Sequence, residues 1–165
     1  MSPASVPEVV VVVVSTRAAA GTRPDTVGPA LVNELKAAGW DIGAGPVVVP
    51  DDEPRLVELL EQLSDDGHRL VVTTGGTGLT PTDRTPEATA WVADRLVPGL
   101  AELMRAEGVA TTPLAALSRG VVGTRGATLI VNLPGSPSGA RESLHAILPV
   151  LRHAVDQLSG GDDHG

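Results

Sequence analysis

The sequence predicts an α/β fold: a three-layer arrangement in which a mostly parallel sheet carries helices on both faces. Four short aliphatic runs, Val9 to Val14, Val47 to Val49, Leu70 to Thr74 and Ala127 to Asn132, read as strands. They are continuous rather than alternating, as expected of strands buried on both faces. Between them lie stretches with helical periodicity, so strand and helix alternate along the chain. A length of 165 residues suits one domain with its own core. Its body is expected to run from about residue 8 to residue 159, with loose tails at 1–7 and 160–165.

The first run, VVVVVV from Val9, is far shorter than the roughly 20 residues a membrane span needs. With neither a basic leader nor a small-residue cleavage site beside it, no secretion signal is expected. In VGPALVNELKAAGW, Leu31, Leu35 and Ala38 fall on one helical face and Gly39 closes the helix. EPRLVELLEQLSDDG repeats the pattern, with Leu56, Leu59, Leu60 and Leu63 inward and Gly67 past the end. Further helices are predicted over Pro86 to Leu96, Pro98 to Glu107 and Ser138 to Leu158. Phe and Tyr are absent and only Trp40 and Trp91 are aromatic, so the core must be Val, Leu, Ile and Ala.

Composition excludes several functions. With no cysteine there is neither a disulfide frame nor thiolate chemistry, which agrees with a cytoplasmic location. A formal net charge of −8 and the scarcity of aromatics argue against nucleic acid as a partner. His68, His145, His153 and His164 show no zinc-binding spacing and read as surface residues.

In sheets of this class, ligands sit beyond the carboxyl ends of the strands. Each strand here is followed by a turn rich in glycine or acid: STRAAAGTRPD, PDDE, GGTGLTPTDRTPE and NLPGSPSGARE. These four loops should meet along one edge. Gly75, Gly76 and Gly78 form either a tight turn needing positive φ or a backbone cradle for an anion. From Gly76 the chain reads G-T-G-L-T-P, which fails the dinucleotide fingerprint at Pro81. The only lysine, Lys36, lies in a helix, so no Walker A loop is present.

Asp83 lies between the glycine turn and the next helix, which Thr85 can cap with Pro86 at the first position. If Asp51 or Asp52 approaches Asp83, two carboxylates could hold Mg²⁺ against phosphate; otherwise these are solvated acids favoured by a helix dipole. Asn132, Pro134, Gly135, Ser136 and Ser138 open the last helix, as an anion site or as a turn with Ser138 as its cap. GSPSG has Pro137 where a hydrolase nucleophile would stand. Arg17 and Arg119 flank the loops, either as solvated charges or as ligand contacts.

Taken in order, STRAAAGTRPDTVGPAL, TTGGTGLTPTDRTPEAT, LSRGVVG and NLPGSPSG resemble the MoaB/Mog family, whose molybdopterin-binding fold also forms gephyrin's N-terminal domain. The resemblance spans about Val9 to Leu158, and the GGTG-to-TPEAT stretch is its most specific part. It implies a cytoplasmic adenylyltransferase of molybdenum cofactor biosynthesis that joins molybdopterin to ATP with Mg²⁺ and releases pyrophosphate. A non-catalytic molybdopterin-binding protein of the same pathway is the alternative. On this resemblance Asp51 and Asp83 are the catalytic and Mg²⁺-orienting acids. Gly75, Gly76, Thr77 and Gly78 would hold the nucleotide, and Ser118, Arg119, Asn132, Pro134, Gly135 and Ser136 the pterin and its phosphate. A homotrimer, or in some members a hexamer, and the pathway's molybdenum-insertion protein are the implied partners. Two positions depart from the family pattern: Thr16 stands for Asp in S-D-R, and Ser138 for a lysine that Arg141 could replace by reaching back.

Overall fold

The computed structural model describes residues 5–161. Six strands form one sheet: β1 (Val9–Val14), β2 (Val47–Val49), β3 (Leu70–Thr74), β4 (Arg95–Leu96), β5 (Val122–Arg125) and β6 (Thr128–Leu133), in the spatial order β2-β1-β3-β6-β5-β4. The pairs β1–β2, β1–β3 and β3–β6 are parallel, whereas β5 runs antiparallel to both β6 and β4. The carboxyl ends of β1, β2, β3 and β6 therefore share one edge, as the loop compositions required.

Six helices complete the fold: α1 (Thr16–Ala19), α2 (Val27–Ala37), α3 (Glu53–Asp65), α4 (Thr85–Val92), α5 (Pro98–Thr111) and α6 (Pro137–Leu158), with a 3₁₀ turn at Pro113–Leu117. Side chains alternate across the pleat. Val9, Val11 and Val13 pack with Leu31 and Leu35 of α2, Met104 of α5 and Leu144, Ile147 and Leu151 of α6. Val12, Val14, Val71 and Ile130 face the other way, onto Leu56, Leu60 and Leu63 of α3 and Ala88 and Val92 of α4. The three predicted layers are present, and burying each of these aliphatic side chains contributes roughly 1.5–3 kcal/mol before chain entropy.

Some expectations are corrected. The helix foreseen from Pro86 to Leu96 ends at Val92, because the Asp94 and Val97 N–H groups donate to Thr124 and Val122 and draw Arg95–Leu96 into an edge strand. Strand β5 was not foreseen; Gly126, at φ 54, turns it back onto β6. The helix expected to stop at Glu107 continues to Thr111, and α6 begins at Pro137, one residue before Ser138. Ala38 is exposed: α2 stops at Ala37, and Gly39 at φ 90 brings Trp40 into the core instead. Leu59 is partly buried beside the α3 cluster.

The opposite edge of the sheet is held by ion pairs between side chains. Glu8 accepts from Arg69 at 3.0 Å and Arg152 at 2.8 Å, Arg69 also reaches Asp156, and Arg152 lies over Trp40 at 3.6 Å from the ring centroid. Parts of the expected loose tails are held too: Pro7 O meets His68 Nδ1 at 2.7 Å, and the Gly160 and Gly161 N–H groups bond back to Gln157 and Asp156. His68 is thereby half-buried rather than on the surface, whereas His153 is exposed. The outer tail residues, 1–4 and 162–165 with His164, lie outside the described residues. Among the described residues, no helix is long and apolar enough to cross a membrane.

Candidate active site

At the end of β1 the chain enters α1, capped by Ser15, whose Oγ accepts from the Ala18 N–H at 3.2 Å. Thr16 then meets the loop after β2. Its N–H and Oγ1 both donate to Asp51 Oδ2, at 3.1 and 2.9 Å, and its Oγ1 accepts the Asp51 N–H at 3.0 Å. Asp51 Oδ1 accepts no hydrogen bond from the described residues. The neighbouring Asp52 is occupied otherwise: it caps α3 by accepting from the Arg55 N–H.

The loop after β3 depends on glycine at two places. Gly75 has φ 98 and a Cβ there would overlap the Val14 carbonyl; Gly76 has φ 66 and a Cβ there would overlap Thr85 Oγ1. Neither conformation suits an L side chain. Further on, Asp83 Oδ2 accepts from Thr80 N and Oγ1 at 3.0 and 2.7 Å, leaving Oδ1 without a partner among the described residues. Thr85 is the first residue of α4 rather than its cap, since its N–H donates to Gly76 O, and Pro86 is therefore the second. Its hydroxyl is buried and unpartnered.

Ser136, rather than Ser138, caps α6 by accepting from Gly139 at 3.2 Å, which leaves Ser138 at the mouth of a cavity. Asn132 is buried, donates both amide N–H groups to Thr73 and Thr89, and accepts from the Val121 N–H. It ties β6 to β3 and α4.

Two cavities open at this edge. One, of about 480 Å³, is walled by Ala101, Met104, Leu114 and Leu117 and carries polar groups from Asn132, Ser136 and Ser138. The other, of about 580 Å³, is polar and lined by Arg17, Arg23, Asp25, Thr16 and Asp51. Gly76, Asp83 and Gly135 line both. Two ligands placed side by side would thus meet at Asp83.

The family described as "Probable molybdopterin binding domain" matches residues 10–153, a span holding all four loops. The chain belongs to this family. A molybdopterin adenylyltransferase of Helicobacter pylori is 38% identical over 148 residues, covering 88% of this chain and 84% of that protein. Gephyrin of Dictyostelium discoideum is 36% identical over 158 residues, 90% of this chain but only 22% of gephyrin. The solved molybdopterin biosynthesis enzyme MoaB from Thermus thermophilus is 50% identical, with a TM-score of 0.87 over 94% of this chain and 98% of its own.

Within this molybdopterin-binding domain, the site residues expected from the sequence are close together. Asp51, Asp83, Gly75 and Gly76 line the polar cavity; Gly76, Thr77, Gly78, Ser118, Asn132, Pro134, Gly135 and Ser136 line the apolar one. Arg119 lines neither and turns its guanidinium onto Gly78, Asp83 and Glu87. Arg141, expected to compensate for the missing lysine, instead pairs with Glu34 at 2.9 Å. Glu34 also takes His145 Nε2 at 2.7 Å, and that hydrogen bond, with the Arg141 guanidinium, holds its carboxyl below the usual range. Sequence reasoning missed Arg23, Asp25, Thr80 and Glu87. A threonine three residues before Asp83 and a glutamate in the first turn of α4 were the available signals.

Proposed function

We propose that this chain catalyses the Mg²⁺- and ATP-dependent adenylylation of molybdopterin in molybdenum cofactor biosynthesis, releasing pyrophosphate. One observation carries the reading: an apolar and a polar cavity share Gly76, Asp83 and Gly135. A flat, weakly charged pterin suits the first, and a triphosphate facing Arg17 and Arg23 suits the second. At their junction a terminal phosphate oxygen of molybdopterin would attack the α-phosphorus of ATP, while the α–β bridging bond breaks and its electron pair leaves with pyrophosphate. No group is oxidised or reduced.

The residues fit Mg²⁺ in its usual mode. Asp51 and Asp83 each offer one carboxylate oxygen free of donors among the described residues, and both line the polar cavity. Among the described residues no group of three or more His, Cys, Asp and Glu is placed to hold a metal. An ion shared between one or two carboxylates and substrate phosphates is the arrangement Mg²⁺ favours. When bound it would neutralise charge on the phosphoryl oxygens. Asp51 and Asp83 would hold that ion and orient the attacking phosphate, and the backbone around Gly75 and Gly76 would let phosphate approach closely.

A non-catalytic molybdopterin-binding role is the second reading, favoured by Ser138 and by the engagement of Arg141 with Glu34, which leave the last loop without its lysine charge. Incubating the protein with molybdopterin, Mg²⁺ and ATP separates the two. Pyrophosphate and adenylylated product support catalysis; binding without either supports the second reading. One domain assembled as a homotrimer in the cytoplasm, delivering product to a molybdenum-insertion protein, completes the proposal; sedimentation of the native protein checks the assembly.

A further inference from the structure

We propose that Arg119 and Glu87 form a positioning clamp for the loop between Gly76 and Asp83, and that Arg119 acts through this loop rather than by touching a ligand. All three guanidinium nitrogens are engaged by protein. Nε donates to Gly78 O at 2.8 Å, Nη2 to Asp83 O at 2.7 Å, and Nη1 to both carboxylate oxygens of Glu87 at 2.8 and 2.9 Å. The Arg119 backbone adds a fourth tie, its N–H donating to Thr77 O at 2.8 Å. One residue thus grips the start and the end of the loop, while Thr80 supports the Asp83 carboxylate from within.

Glu87 fixes the fork in turn. It sits in the first turn of α4 and is held ionised by the Arg119 hydrogen bonds against the opposing effect of burial. A guanidinium supplies a rigid planar fan of donors that a lysine cannot reproduce. Asp83 is consequently fixed at two points, its carbonyl by Arg119 and its carboxylate by Thr80, at the place where the two cavities meet.

The inference rests on the adenylylation reading for its catalytic consequence but not for its structural one. Two variants, Arg119→Lys and Glu87→Gln, test it; the second is isosteric and protects against loss of folding. Both should lower kcat by about tenfold or more with KM for ATP and molybdopterin nearly unchanged, since small misplacements at a reacting centre are costly. The double variant should be no worse than the poorer single, as for two parts of one device. Amide exchange over residues 76–84 should quicken by about tenfold in each variant while the β1 and β3 amides keep native protection. A raised molybdopterin KM in Arg119→Lys with a silent Glu87→Gln would overturn the proposal, making Arg119 a ligand contact. Unchanged exchange in both variants would overturn it as well. If the native protein makes no adenylylated product, the functional reading fails alone and the exchange measurement decides the clamp.

Discussion

Thr16 and Asp51, 35 residues apart, exchange hydrogen bonds in both directions: the threonine hydroxyl donates to Oδ2 at 2.9 Å and accepts the aspartate N–H at 3.0 Å. The carboxylate is thereby turned so that Oδ1 lies on the Gly76 side, 3.4 Å from where a Cβ on that glycine would be. Thr16→Val removes the hydroxyl with little change of shape. We expect adenylylation to fall by about ten- to a hundredfold, in keeping with a hydrogen bond to a charged group worth about 1.5–3 kcal/mol. Thr16→Ser should retain most of the rate; equal loss in both variants, measured as pyrophosphate release, would count against an orienting role.

Asp83→Asn keeps the size of the side chain and its contact with Thr80 but removes the charge. Turnover should fall at least about a hundredfold while molybdopterin binding, read by titration of the pterin absorbance, stays within about twofold, as expected for an interaction used mainly in the transition state. Unchanged turnover would remove Asp83 from the mechanism.

Gly75→Ala meets two obstacles, a φ of 98 and the Val14 carbonyl. Residues forced into such backbone regions cost about 1–3 kcal/mol, and displacement of the strand adds to that. The thermal midpoint should fall by at least about 3 °C, because 1 kcal/mol corresponds to about 2–4 °C for a chain of this size. A midpoint equal to that of the native protein would mean that the loop has another conformation.

At the far edge, burial opposes ionisation of Glu8, but the Arg152 hydrogen bond and charge, the Asp41 N–H and Arg69 outweigh it and hold the carboxyl below its ordinary 4.5. A depressed folded-state pKa means stability that is present above about pH 4.5 and lost as pH falls through the lower folded value. Glu8→Gln should therefore melt below the native protein at pH 7, and the gap should narrow as pH falls below 4.5. Thermal melts across that range check it; a constant gap would exclude ionic linkage.

How much of this was legible depended on sequence distance. The buried parallel strands declare themselves as unbroken aliphatic runs, and the chain direction then dictates which loops meet. Strand β5, VGTR, has one aliphatic side chain and exists through its pairing with β6, so only the glycine of its turn marked it. Local composition brought Asp83 and either Asp51 or Asp52 to this edge, and the family resemblance selected Asp51; the Thr16 contact, the cap at Ser136 rather than Ser138, and the Arg119 fork depend on side-chain direction. An arginine in a loop reads alike whether it meets solvent, a ligand or three backbone and carboxylate acceptors. Only the folded geometry chooses among them.

The contact between Gly135 and Gly75 has a consequence of its own. A Cβ on Gly135 would lie 3.2 Å from Gly75 Cα, so the two chain segments pass each other with no side chain between them. Gly135 lines both cavities and Gly75 the polar one, and at their contact only bare main chain is present. An alanine at Gly135 would thicken that contact by about the length of a carbon–carbon bond, and on the proposed adenylylation this would hold the two phosphates apart. Close approach of bare main chain is what Gly135 contributes, and Gly75 adds to it the positive φ that its turn requires.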